Sequence, residues 1–152
     1  MIQSMEIENF KCIGKNTKID IKPVTILMGP NSSGKSSIIK PLLLAKQTAD
    51  SRDVQMTVQS DGNYVSLGPF KDFVYRHDKK RKVKFSFHYE PEQGLPWRML
   101  KRRIGESSIY SVSSKRSEVN LKVTLRSGPQ DQIINEGTAF NLSSALGEIT
   151  VA

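Results

Sequence analysis

The sequence predicts an α/β fold, and three observations carry that expectation. Residues 24–28 (Val24, Thr25, Ile26, Leu27, Met28) form an apolar run interrupted only by Thr25, the pattern of a strand buried on both faces. A break containing Gly29, Pro30 and Gly34 follows it. From Lys35 to about Thr48 apolar residues then recur at three-to-four spacing, as in an amphipathic helix.

Taken in order, residues 2–8 read as a strand. Residues 15–21 alternate, with Thr17, Ile19 and Ile21 on one face and Lys18 and Asp20 on the other. Residues 12–16, with Gly14 and Asn16, supply the turn between them. The helix from Lys35 presents Ile38, Ile39, Leu42, Leu43 and Ala45 as a broad apolar face, and Pro41 is expected to bend it without ending it. Residues 54–58 and 64–67 flank Asp61, Gly62 and Asn63, a hairpin signal. Gly68 and Pro69 lead into a short helical turn at 70–74. Further strands are expected at 83–89, 108–112, 119–125 and 149–152. The clearest is the first, where Val83, Phe85, Phe87 and Tyr89 alternate with Lys84, Ser86 and His88. The pattern divides the chain into a core at 1–60 and a strand-rich portion of the same lobe at 61–152. The sequence stops inside an apparent strand, so truncation at the C-terminus is expected.

Composition narrows the class. With 152 residues, 37% hydrophobic and 25% charged, the chain is too apolar for a disordered tail and too polar for a membrane protein. No apolar stretch is long enough to span a bilayer, and residues 1–6 lack the pattern of a secretion signal. Its single cysteine, Cys12, can form no internal disulfide, which makes a reducing, cytoplasmic setting the expectation. The net charge of +8 is concentrated at 76–103, where ten basic residues face three acidic ones. Such a patch could attract nucleic acid, or it could be a solvated hairpin whose lysines protect a strand edge.

The strongest motif is Gly29-Pro30-Asn31-Ser32-Ser33-Gly34-Lys35-Ser36, which matches G-x-x-x-x-G-K-[ST] at every fixed position. Its place between an apolar run and a helix is what triphosphate binding requires. A helix N-terminus offers unpaired N–H groups and a partial positive charge, and the glycines let the chain curl so that those groups face an anion. Lys35 would reach the β- and γ-phosphates of ATP, Ser36 would ligate Mg²⁺, and Ser37 is placed to donate to the α-phosphate. Ser32 and Ser33 are small enough to let the backbone approach closely.

Residues 7–13 (Ile7-Glu8-Asn9-Phe10-Lys11-Cys12-Ile13), the 22–28 run, the loop itself and Leu42-Leu43-Leu44 together resemble the amino-terminal lobe of an ABC-type ATPase. The similarity is greatest to the RecF/SMC-like branch, which is often grouped with bacterial AAA-family ATPases and includes overcoming-lysogenization-defect type proteins. Asn31 fits the ABC-type form of the loop, and residues 64–74 resemble a segment of such bacterial ATPases. The resemblance implies a P-loop NTPase fold and Mg·ATP binding. It implies hydrolysis on head-to-head dimerisation of the full protein, and a DNA-linked role in repair, chromosome maintenance or phage defence. It also makes Asn9, Phe10, Lys11 and Cys12 candidates for base or phosphate contacts, with core packing the alternative for Phe10 and a solvated turn for Lys11. It implies a Mg²⁺-sensing glutamine, for which Gln47, Gln55 and Gln59 are the candidates. His77 and His88 are expected to be structural or surface groups.

Two departures stand out. No run of four apolar residues followed by Asp-Glu occurs in the chain, and Leu142-Ser143-Ser144-Ala145-Leu146-Gly147-Glu148 only superficially echoes a signature loop of the L-S-G-G type. A loop of this kind alone positions phosphates without the groups that stabilise attack and departure. Two other readings stay open: a stand-alone nucleotide-binding regulator that does not hydrolyse, and a P-loop kinase or GTPase of another class. The sequence has no Asn-Lys-x-Asp element of the kind that reads guanine.

Overall fold

The computed structural model describes residues 1–50, 58–90, 118–144 and 147–151. In chain order the elements are β1 (Ile2–Glu8), β2 (Thr17–Asp20), α1 (Lys35–Asp50), α2 (Phe70–Phe73), β3 (Val83–Tyr89), β4 (Glu118–Ser127), β5 (Ile133–Ser144) and β6 (Gly147–Val151). The strands form one sheet in the order β2-β1-β3-β4-β5-β6, and every neighbouring pair is antiparallel. This sheet draws strands from both sides of residue 60.

Period-two alternation gives the sheet two unlike faces. Met5 is registered with Ile19 and Phe87, and Phe87 with Leu121, which makes an apolar row. Ser4 is registered with Asp20 and His88, and His88 with Asn120, which makes a polar one. On the apolar side Met5, Ile7, Val83, Phe85 and Leu125 are buried with Phe10, Leu44, Phe70, Phe73 and Val74. The Phe10 ring lies 5.2 Å from Phe85, edge-on, and 5.9 Å from Phe73, while Phe70 and Phe73 meet edge-on at 5.1 Å. The one-turn helix α2 therefore acts as a two-phenylalanine plug, and burying each such ring contributes about 1.5–3 kcal/mol. Main-chain bonds fasten the exit of β1 to this plug. The Lys11 amide donates to the Phe73 carbonyl at 2.6 Å, and the Tyr75 amide donates to the Asn9 carbonyl at 2.9 Å.

The strands at 2–8, 83–89 and 119–125 and the turn at 70–74 form as expected, and α1 runs unbroken through Pro41. Residues 24–28 are a correction. They belong to no strand, and Val24, Ile26 and Met28 are 79, 76 and 88% exposed. The apolar pattern is that of a strand with two parallel neighbours, whereas the antiparallel sheet gives it none among the described residues. Its one local anchor is Thr25, whose hydroxyl accepts from the Lys22 amide at 3.0 Å.

Helix α1 is also rotated from the expected facing. Its fully buried stripe is Ser37, Pro41, Leu44 and Gln47, while Ile38, Leu42, Leu43 and Ala45 are half-buried and Ile39 is 46% exposed. The expected hairpin is present only as a tight turn, with an Asp61–Ser66 bridge and a Leu67 amide bond to the Ser60 carbonyl at 3.0 Å. The expected strand at 108–112, and residues 54–57 and 152, lie outside the described residues. β5 was not legible, because Asn135, Glu136, Gly137 and Asn141 are poor strand formers that pairing along β4 overrides. Residues 142–144 and 147–148 lie in β5 and β6 and pair through Ser144 and Gly147, so the signature-like stretch contributes to two paired strands.

Candidate functional site

The loop at 29–34 is shaped by backbone conformations that side chains resist. Gly34 has φ +95°, and a Cβ there would sit 2.5 Å from Cys12 Sγ, so this position needs glycine both for conformation and for space. Ser32 takes the left-handed conformation at φ 63°. The loop then opens into α1, a 16-residue helix whose first turn carries no acidic residue and begins with Lys35. A lysine at the positive end of a helix dipole is unfavourable unless an anion joins it. Nor does any Asp or Glu occur between Asp20 and Asp50.

A cavity of about 320 Å³ opens at this helix start, at the lower end of the range for ligand pockets. Lys11 and Cys12 line it together with Asn31, Ser32, Gly34, Lys35, Ser36 and Ser37. The other loop residues shape the wall from behind. The Lys35 ammonium donates to the carbonyls of Gly29 at 2.8 Å and Pro30 at 2.7 Å, and the Ser33 amide donates to Pro30 at 3.3 Å. Ser36 is exposed, whereas Ser37 is buried, with its hydroxyl 3.8 Å from Cys12 Sγ and its amide bonded to the Gly34 carbonyl at 2.9 Å.

Of the four residues at 9–12, the structure brings two to the cavity and uses two in the fold. The Asn9 amide group donates to the Lys82 carbonyl at 3.0 Å and accepts from Arg81 at 3.2 Å, while Phe10 is fully buried. Lys11 takes φ 49° and reaches the cavity. Burial, and then the neighbouring Lys40 ammonium, hold the Lys11 amine below the usual lysine range, with Asp72 partly opposing them. Lys40 is the residue that sequence reading missed. It follows Ser36 by four and Ser37 by three, so helical spacing alone puts it on their face of α1.

Gln47 is not a free sensor of a metal. Its side-chain nitrogen donates to the carbonyls of Gln59 at 2.8 Å and Val65 at 3.1 Å, and its oxygen accepts from the amides of Tyr64 at 3.0 Å and Val65 at 3.1 Å. Gln59 is exposed and Gln55 lies outside the described residues. The His77 ring donates to the Lys71 carbonyl at 2.7 Å, and the His88 ring to the Asn120 side-chain oxygen at 2.9 Å. His88 also lines a second hollow of about 240 Å³ on the polar sheet face, away from the loop, with Ser4, Glu6, Ser86, Asn120 and Lys122.

Among the described residues of the basic segment, four cations meet acids. Lys79 meets Asp131 at 3.0 Å, Arg81 meets Asp78 at 3.1 Å, Lys82 meets Glu136 at 2.7 Å and Lys84 meets Glu8 at 3.1 Å. Residues 91–103 lie outside the described residues. Among the described residues no cluster of three His, Cys, Asp or Glu side chains could hold a metal ion, and no helix is long and apolar enough to cross a membrane.

Over 61 residues, 40% of this chain, the sequence is 41% identical to the chromosome partition protein Smc of Gloeobacter violaceus (strain ATCC 29082 / PCC 7421). The match spans only 5% of the length of that protein. A solved structure, from work on ATP-driven dimerization and DNA stimulated activation of SMC ATPases, aligns over 94% of this chain and 69% of its own, at 16% identity and a TM-score of 0.43. The model of the AAA ATPase domain matches residues 1–138, so the chain belongs to the AAA ATPase domain family.

Proposed function

We propose that the chain binds Mg·ATP in the cavity of the 29–37 loop, as the nucleotide-binding part of an SMC-like ATPase. One observation carries the reading: the Lys35 ammonium sits at the start of an acid-free helix turn, at the mouth of a cavity lined by hydroxyls and a second lysine. The donor set fits a triphosphate. Lys35 and Lys11 offer positive charge, the helix start offers N–H groups, and Ser36 and Ser37 offer hydroxyls. In this reading Gly29, Pro30, Asn31, Ser32, Ser33 and Gly34 form the P-loop, and Ser36 is the protein ligand of Mg²⁺. Bound Mg²⁺ would neutralise the β- and γ-phosphate oxygens. The work of the chain's own groups is to orient the phosphates: Lys35 leaves the Gly29 and Pro30 carbonyls for the β- and γ-phosphates, and Ser37 takes the α-phosphate.

Hydrolysis belongs to this proposal only at the level of a larger assembly, a head-to-head dimer of the full protein. An Asp-Glu strand and a signature loop would have to come from elsewhere. A DNA-linked, cytoplasmic role is the outer layer of the same proposal. What supports it is the net charge of +8 and the basic surplus at 76–103, and the four matched ion pairs weaken that support for 79–84.

Titration calorimetry with Mg·ATP on Lys35→Ala tests the central claim. Losing a charged partner to phosphate costs about 3 kcal/mol, and affinity is expected to fall about a hundredfold. The fold should survive, since Lys35 holds only exposed loop carbonyls. Unchanged affinity in a folded variant refutes the assignment.

A further inference from the structure

We propose that Lys40, paired with Lys11, forms a second anion contact that grips the phosphate nearest Ser37 in a bound nucleotide. The inference rests on the nucleotide reading above and extends its site by one residue. Helix geometry supplies the first argument. Ser36 and Ser37 line the cavity, and Lys40 lies four and three residues beyond them on the same face. Side chains on a helix lean toward its N-terminus, so the four-carbon stem of Lys40 points back along that face toward the cavity.

The second argument is electrostatic crowding. Lys40 is half-buried, and among the described residues no carboxylate lies within ion-pair distance of it. Its charge acts on another cation: with burial, the Lys40 ammonium holds the Lys11 amine below its usual range, and Asp72 opposes this in part. Two like charges held side by side repel, and a phosphate placed between them turns that repulsion into two attractions. The main chain at Lys11 is fastened by its amide bond to the Phe73 carbonyl, which fixes where its side chain starts. The pair thus lies beside a cavity whose lining holds no carboxylate.

Position also sets what the pair should recognise. Lys35 is assigned to the β- and γ-phosphates, whereas Lys40 sits one turn along, beside Ser37 and the α-phosphate. Lys40 should therefore contribute equally to ATP and ADP, whereas Lys35 should favour ATP.

The test is calorimetry of the 152-residue chain with Mg·ATP and Mg·ADP, on the parent, Lys40→Ala, Lys40→Arg and Lys35→Ala. Lys40→Ala is expected to weaken both nucleotides about tenfold, ~1.4 kcal/mol, with a smaller loss at high salt. Lys40→Arg should restore most of the affinity. Binding within twofold of the parent for Lys40→Ala, while Lys35→Ala weakens it about a hundredfold, overturns this inference and leaves the nucleotide reading standing. Unchanged binding in both alanine variants overturns both. Equal loss in Lys40→Ala and Lys40→Arg, accompanied by a lowered melting temperature, assigns Lys40 a structural role and also overturns the inference.

Discussion

Replacing Gln47 with Ala separates a structural glutamine from a metal-sensing one, and the size of the effect can be worked out from its bonds. The side chain uses all its hydrogen-bonding capacity on the 59–65 turn, giving two bonds from nitrogen and accepting two at oxygen. Both main-chain groups of Val65 are buried; removing Gln47 leaves the amide unmet, whereas the carbonyl keeps its bond from the Gly62 amide at 3.1 Å. Such an unmet group costs about 1–3 kcal/mol. The Gln59 and Tyr64 groups are only part-buried and regain water, adding a few tenths each. A loss of about 3 kcal/mol is therefore expected, a large share of the 5–15 kcal/mol typical of a domain. With a urea slope of about 2 kcal/mol/M, the midpoint should move down by about 1.5 M, read by far-ultraviolet circular dichroism. Below the transition, Mg·ATP affinity and its dependence on Mg²⁺ should match the parent. A variant that unfolds within 1 kcal/mol of the parent (about 0.5 M in midpoint) yet loses its Mg²⁺ dependence would refute the argument.

Three further outcomes are expected. Gly34→Ala should lower nucleotide affinity more than it lowers stability, because the new Cβ would push into Cys12 at the cavity wall; calorimetry and thermal melting of the same sample decide it. Nucleotide affinity should fall as pH rises, beginning below the ordinary lysine range, since the Lys11 amine is held low and only its charged form attracts phosphate. Folding stability should move the other way through the same window, because the unfolded chain binds that proton more tightly than the folded one. Lys11→Arg should remove the alkaline loss of affinity, and a pH profile identical to the parent would count against Lys11 at the site. Phosphate release by the chain alone should stay well below about 1 s⁻¹, the lower end for working phosphoryl-transfer enzymes, and turnover above that would mean a catalytic carboxylate lies within these residues.

How far the sequence could be read follows from what each signal depends on. Local signals carried well. The alternation of Val83, Phe85, Phe87 and Tyr89 needs only a sheet with one covered face, and β3 has one. The glycine loop and the helix after it were legible because dihedral needs and helix periodicity are properties of a few neighbouring residues. Signals that depend on distant partners did not carry. The 24–28 run encodes burial between two neighbours, and sequence pattern states a requirement for neighbours without supplying them. The facing of α1 turned on Gln47, which reads as a polar surface residue until Tyr64 and Val65 are seen to close around it. Phe10 looked like a candidate for base contact, yet the rings of Phe73 and Phe85 claim it for the core.

The candidate site and the core are best understood as one construction. Positive features gather here with only partial offset from Asp72: a lysine at a helix start, a second lysine in a left-handed turn, and a third on the helix whose charge acts on the second. Each is unfavourable alone, by amounts comparable to a lost cap or a strained residue. What holds them in place is the aromatic packing directly behind. Phe10 precedes Lys11 in the chain, Phe73 accepts the Lys11 amide through its carbonyl, and both rings are fully buried. The strain at Lys11 is thus sustained by ring burial of a few kcal/mol, which fixes the main chain of that turn before any anion arrives. A site prepared in this way loses little conformational freedom on binding, so the electrostatic gain can appear as affinity instead of being consumed by ordering the loop.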